Sequence, residues 1–198
     1  MATRKIKRKP GRPRGSGPQK PVLERMLDAA DEVFAEHGIH ATGVNEIAAR
    51  AGVSKMSMYQ YVESKEELVE QYLRRNDERL GTWMRGQIAS GGLIGAFAAL
   101  RAFIEAPDFC GCRFIRAAAE LDMKNDPAAD VIRAHKQGFR TMFEQEARRE
   151  MLRDPGVLAE RLMLIFDGAL ARAATSGDKT QGKLAEDLAG TLIAAAKI

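Results

Sequence analysis

The sequence predicts an all-α protein, and three observations carry that expectation. Ala, Leu, Glu, Arg and Met are abundant, and these residues lose little side-chain freedom in a helix. Apolar positions recur at spacings of three and four, whereas no stretch alternates apolar and polar residues as a half-buried strand does. Breaks fall between the periodic segments, at Pro107, Asp126-Pro127, Asp154-Pro155 and Ser176-Gly177.

The first helix places Leu23, Met26, Leu27, Ala30, Val33 and Phe34 on one face, enough to cover a small three-helix core. In the second, Ile47, Ala48 and Ala51 form the apolar stripe, and Gly52 stops it by taking the left-handed conformation at low cost. Ser54 stands where an N-cap is wanted for a short third helix, about 54–61, without the Glu or Gln at position 57 that a full capping box needs. Ser64 and Glu67 supply such a box for a fourth helix that runs through Leu68, Tyr72, Leu80, Trp83 and Met84 and bridges two parts of the chain. Beyond Gly91 and Gly92, helices are expected at about 93–106, 113–123, 127–152, 155–175 and 179–197, nine in all.

Two short helices joined by a glycine-bearing turn form a helix-turn-helix, whose second helix enters the major groove of DNA. Lys55, Ser57, Met58, Tyr59, Gln60 and Tyr61 are its expected outward side chains, with Ser54 at its start. Lysine and the hydroxyls suit phosphate oxygens, Gln60 suits an adenine edge and Met58 a thymine methyl. Each tyrosine can instead pack its ring in the core while its hydroxyl reaches a phosphate.

The same stretch resembles the TetR family of bacterial repressors. From Val22 to Leu68 the chain has a first helix ending in Phe34 and His37-Gly38, then Ala41-Thr42, then VNEIAARAGVSK, then Tyr59-x-Tyr61 and SKEEL. The resemblance implies DNA-backbone contacts at Thr42, Tyr59, Tyr61 and Lys65, with Lys55 and Ser57 where the family places base or backbone contacts. It departs at Gly43, where the family usually has Ser or Thr, at Met56 and at Val62. It also implies about nine helices and a dimer formed through the final helices. On this reading the chain divides into a basic arm, 1–19, a DNA-binding domain, 20–80, with its helix-turn-helix at 43–62, and a helical effector-binding and dimerisation domain, 81–198.

The net charge of +4 conceals an asymmetry. Residues 1–20 hold eight Lys and Arg and no acid, so the remainder carries −4. With Pro10, Pro13, Gly11, Gly15 and Gly17 this arm is expected to be disordered without DNA and to follow phosphates. PGRPRG resembles the AT-hook, which implies that Arg12 and Arg14 enter an A·T-rich minor groove; an unspecific basic tail is the alternative.

The final helices carry Leu162, Phe166, Ala169, Leu170 and Ala173, then Leu184, Leu188 and Leu192, at helical spacing and beside small residues. Pairing with a second copy and an intramolecular core both fit this pattern. Phe97, Phe114, Met123, Phe139, Phe143, Met163 and Phe166, with Arg101, are the candidate lining of an effector pocket, since Phe and Met suit an adaptable apolar cavity.

No motif for a nucleophile, a phosphate loop or a metal is present, so neither catalysis nor a cofactor is expected. Cys110 and Cys112 flank a single glycine, too close for an unstrained disulfide, and the three histidines are not at ligand spacing. Small buried thiols are expected, with a redox or electrophile sensor and a metal ligand as the alternatives. The longest uncharged run, Gly86 to Leu100, is short for a membrane span, which predicts a cytoplasmic protein. The expected partners are double-stranded DNA bearing an inverted repeat, a second copy of the chain and an apolar effector that releases DNA. An architectural DNA-binding protein working through the arm without an effector is the competing function.

Overall fold

A computed structural model of the chain describes residues 20–197; the basic arm, with Arg12 and Arg14, lies outside them. The described residues form eight helices and no strand: α1 (Val22–His37), α2 (Val44–Ala51), α3 (Lys55–Met58), α4 (Lys65–Glu105), α5 (Arg113–Glu120), α6 (Ala128–Arg149), α7 (Pro155–Ser176) and α8 (Gln181–Ala195). The all-α expectation is borne out.

The count falls from nine to eight because α4 continues through a kink instead of stopping. Gly92 has φ 63° and ψ −157°, a region of backbone space that only glycine enters easily. The break strips the N–H of Leu93 of its helical acceptor, and Glu150 replaces it with a carboxylate oxygen at 2.9 Å. α4 is therefore two helical segments, 65–91 and 93–105, joined at the kink and stapled by Glu150, the residue that caps the C-terminus of α6.

α3 is shorter than expected. Residues 59–61 tighten into a turn, with Tyr61 N–H bonded to the Met58 carbonyl at 3.0 Å and Gln60 N–H to that of Ser57 at 3.3 Å. α5 ends at Glu120 because Asp122 organises the next turn, accepting from the Lys124 N–H at 3.0 Å and the Asn125 side chain at 2.8 Å. These bonds, the Lys124 backbone bond foremost, hold the Asp122 carboxyl below its usual range.

Two apolar cores result. The first joins α1, α2 and α3 to the start of α4 through Met26, Phe34, Ile47, Met58, Leu68 and Leu73, and also takes in Phe114 of α5 and Ile132 of α6. The second lies among α4, α6, α7 and α8 around Phe97, Leu100, Phe143, Leu162 and Phe166. Leu80 and Cys112 pack against both, so the two cores meet beside the α4–α5 junction.

Candidate nucleic-acid interface and ligand cavity

The turn between α2 and α3 is built as its sequence suggests. Gly52 is left-handed, φ 66° and ψ 34°, and the following Val53 N–H closes on the Ala48 carbonyl at 3.0 Å. Ser54 caps α3 by accepting from the Ser57 N–H at 3.0 Å, and the two hydroxyls lie 2.8 Å apart. Lys55 and Gln60 are exposed, as are Tyr59 and Tyr61, while Ser57 is half-buried. The Lys55 ammonium sits 5.9 Å above the Tyr59 ring, a cation–π contact that orients both groups. Lys65 is half-buried, its ammonium 3.4 Å from the His40 carbonyl.

Two expected contacts are corrected. Met58 is fully buried, because it must fill the space between α2 and Val62, and Met56 is the exposed methionine at 80%. The i, i+4 pair Met58 and Val62 is the signal that sequence reading missed. Thr42 is also buried, and its hydroxyl donates to the Gly38 carbonyl at 2.6 Å; it closes the α1–α2 turn and does not face solvent. At the N-cap of α2, Gly43 makes no side-chain cap, and a Cβ there would meet nothing within 4 Å. Gly43→Ser should therefore raise stability by a few tenths of a kcal/mol. Urea denaturation of both proteins tests this, and a loss of stability would contradict the open geometry.

α5 ties the DNA-binding unit to the rest of the chain. Arg113 Nε donates to Asp31 at 2.8 Å, Arg116 donates to the carbonyls of Phe34 and Ala35 at 3.1 Å each, and Glu120 accepts the His40 N–H at 2.7 Å. Arg116 thus satisfies carbonyls at the C-terminal end of α1, where positive charge is favoured. Arg75 of α4 adds bonds to Asp28 at 2.8 Å and Glu24 at 3.2 Å. Sequence reading had no access to these partners, which lie 47 to 82 residues apart.

Beside the junction of the two cores lies a cavity of about 40 Å³ bordered by Leu80, Trp83, Leu100, Phe103, Cys112, His135, Lys136, Phe139, Met163, Phe166, Asp167 and Leu170. Phe139, Met163 and Phe166 are where the sequence suggested. Phe97 and Phe143 are not on the wall, being wholly buried behind it. Phe114 stacks on His135 with centroids 3.6 Å apart, and Met123 packs on the first core. Arg101 points away, bonded to Glu105 at 2.8 Å and Glu186 at 3.3 Å. Trp83, Cys112 and His135 were missed as lining, since each is brought in by packing between helices and not by its own helix face; Cys112 is half-buried while Cys110 is exposed, against the expected burial of both thiols.

His135 is 4% exposed, with Nδ1 2.8 Å from Asp77. Burial pushes its pKa below the ordinary 6.5, against the opposing pull of the Asp77 hydrogen bond. A depressed folded-state pKa means that the unfolded chain takes up this proton first, so stability is lost as pH falls below 6.5. Chemical denaturation from pH 7 downward should show a shallower decline in His135→Phe than in the parent, and parallel curves would exclude the effect.

The expected dimer residues divide. Leu162, Phe166, Ala169, Leu170 and Ala173 are buried in the chain's own core, because that stripe of α7 faces α4 and α6. Leu192 packs on the same core. Leu184 and Leu188 are exposed at 51% and 46%, beside Leu164 at 75% and Val157 at 52% on α7.

A capped helix-turn-helix with an exposed cationic and aromatic end, clamped to an α-helical domain that holds an apolar cavity, defines a transcriptional regulator of the helix-turn-helix class. The sequence profile of the bacterial regulatory proteins of the tetR family matches residues 26–72. The transcriptional activator FasR of Mycolicibacterium smegmatis is 34% identical over 180 residues, which cover 86% of this chain and 78% of FasR. The transcriptional repressor DhaR of a Mycobacterium species is 28% identical over 169 residues, 77% of this chain and 82% of that protein. A crystal structure of a TetR-type regulator from Streptomyces avermitilis superposes with a TM-score of 0.78 at 34% identity, covering 89% of this chain and 98% of that one. The chain belongs to the TetR family of bacterial transcriptional regulators.

Proposed function

We propose that the protein is a cytoplasmic, dimeric repressor that binds an inverted-repeat operator and is released by a small, largely apolar effector. The observation that carries this reading is the position of α5: its N-cap, Cys112, borders the cavity, while Arg113, Arg116 and Glu120 hold α1 and the turn after it. The cavity of about 40 Å³ is far below the ~300 Å³ of ordinary ligand pockets, so an effector must displace the walls to enter. Displacing Cys112 moves the helix that grips the DNA-binding unit, and affinity for effector and operator then fall reciprocally.

DNA contacts are assigned to Ser54, Lys55, Met56, Ser57, Tyr59, Gln60, Tyr61 and Lys65, with Arg12 and Arg14 of the arm adding charge. Met56 takes the role first given to Met58, as the apolar side chain free to meet a thymine methyl. One short recognition helix reads few bases, so two copies across a twofold axis are required. The exposed stripe of Val157 and Leu164 with Leu184 and Leu188 supplies a self-complementary face on the adjacent helices α7 and α8.

Footprinting of the DNA flanking the gene, combined with sedimentation, tests the reading. The expected result is a protected inverted repeat bound by a dimer, with Leu164→Asp/Leu188→Asp yielding a monomer that has lost the footprint. Deleting residues 1–20 should flatten the salt dependence while leaving operator preference intact. Sequence-indifferent binding by a monomer would favour an architectural role instead.

A further inference from the structure

We propose that the effector carries a hydroxyl group, as a phenol or an apolar alcohol does, and donates it to Nε2 of His135. The proposal rests on the reading of the cavity as the effector site. Among the residues that border the cavity, those with polar side-chain atoms are Trp83, Cys112, His135, Lys136 and Asp167, with the weakly accepting Met163 thioether; the Trp83 indole N–H only donates, so His135 is the neutral nitrogen that can accept. Lys136 and Asp167 satisfy each other at 2.6 Å.

His135 is held on three sides. Nδ1 meets Asp77 at 2.8 Å, one ring face stacks on Phe114 at an interplanar angle of 6°, and Phe139 leans against it with centroids 4.6 Å apart. Nε2 has no hydrogen-bond partner among the described residues. It is also not one of the wholly enclosed unpartnered atoms, which are Arg25 Nε, Arg75 Nε and Arg75 Nη2, so it borders open space. His135 is one of the residues that border the cavity, and we take Nε2, its unpartnered ring nitrogen, as the atom presented to it.

The chemistry of Nε2 follows from its partner across the ring. A carboxylate only accepts, so Asp77 fixes the proton on Nδ1 and leaves a lone pair at Nε2. The groups facing the ring are Asp77 of α4, Lys136 of α6 and Asp167 of α7, with Phe114 and Phe139; burial keeps the ring neutral. A neutral acceptor in an apolar wall requires a ligand that brings a proton. A hydrocarbon leaves Nε2 unmet, which costs binding free energy. A carboxylate has no proton to donate, and an ammonium must be stripped of water beside Lys136. A hydroxyl meets the requirement with the least desolvation.

Trp83, the chain's one tryptophan, borders the cavity and reports occupancy by its emission. The test titrates the full chain with para-ethylphenol, ethylbenzene and para-ethylbenzoate. The phenol should bind roughly fivefold or more tightly than the hydrocarbon, the gain expected of one buried hydrogen bond, with the carboxylate weakest. In His135→Phe the preference for phenol should vanish while ethylbenzene still binds. Nitrogen NMR of the parent protein supplies a readout independent of any variant: phenol should shift the Nε2 resonance and leave Nδ1 protonated. Equal binding of phenol and ethylbenzene, or preference for the benzoate, overturns the hydroxyl assignment but keeps the cavity as a ligand site. No change in Trp83 emission with any of the three overturns both.

Discussion

Replacing Gly92 with alanine should lower the melting temperature by roughly 6–12 °C, corresponding to about 3 kcal/mol in a chain of this size. The native φ of 63° with ψ −157° is essentially closed to residues with a side chain, at a cost of about 1–3 kcal/mol. The added Cβ also runs into the Glu150 carboxylate, the group that accepts the Leu93 N–H at 2.9 Å. Losing that bond leaves a part-buried amide without its acceptor, with a further cost of about 1–3 kcal/mol. Gly91→Ala is the matched control. No atom lies within 4 Å of a Cβ there, and the residue is helical, so that change should be neutral or stabilising by up to about 1 kcal/mol. Calorimetry of the two variants decides the matter, and equal melting temperatures would remove the Gly92–Glu150 staple from the account of the fold.

Phe166→Ala should cost about 3–5 kcal/mol of stability. Its ring packs against Phe97, Phe139 and Phe143 with centroids 5.9, 6.0 and 5.8 Å away, and it also forms part of the cavity wall. Truncation removes the aromatic contacts and enlarges a space already open on one side. The second effect has its own signature: ethylbenzene should stabilise the variant by about 2.7 kcal/mol at a hundred times the variant's Kd, and the parent by less at the same concentration. Urea titrations with and without ethylbenzene measure both quantities. A loss below about 1 kcal/mol would mean that the helices close over the gap, and the aromatic cluster would not be the framework that holds the cavity.

Both effects bear on α4, since Gly92 lies within it and Phe166 of α7 packs against its Phe97. The second segment of α4 contributes Leu100 and Phe103 to the cavity and Phe97 to the core behind it, and its start is positioned by Gly92 and Glu150. The first segment carries Leu80 and Trp83 to the cavity, Asp77 to His135 and Arg75 to α1. α4 therefore links the cavity to the DNA-binding unit by direct contacts, as α5 does.

Local chemistry explains what could be read in advance. The Ser54 and Ser64 caps, the Gly52 turn and the stripes of α1 and α2 each depend on residues within about one or two helical turns, and the structure reproduces them. The helix-turn-helix was legible for the same reason, because its turn and caps close over short distances along the chain. Even there, the choice between Met56 and Met58 turned on how α3 rolls against α2, and the stripe was too short to set that angle. Glu67 departs similarly in detail: it reaches back to the Glu63 N–H and not to that of Ser64.

By itself the sequence determined an all-helical chain, its breaks at Pro107, Pro127, Pro155 and Gly177, a DNA-reading motif and the concentration of positive charge in the arm. Those properties follow from backbone preference and from apolar spacing along single helices. Only the tertiary structure decided that Arg113, Arg116 and Glu120 clamp α1, that Leu162 and Phe166 face inward while Leu164 and Leu188 face out, and that His135 stands between Asp77 and the cavity. Each of these depends on how helices far apart in sequence rotate and cross. That is set by the collective packing of both cores, which no single helix encodes.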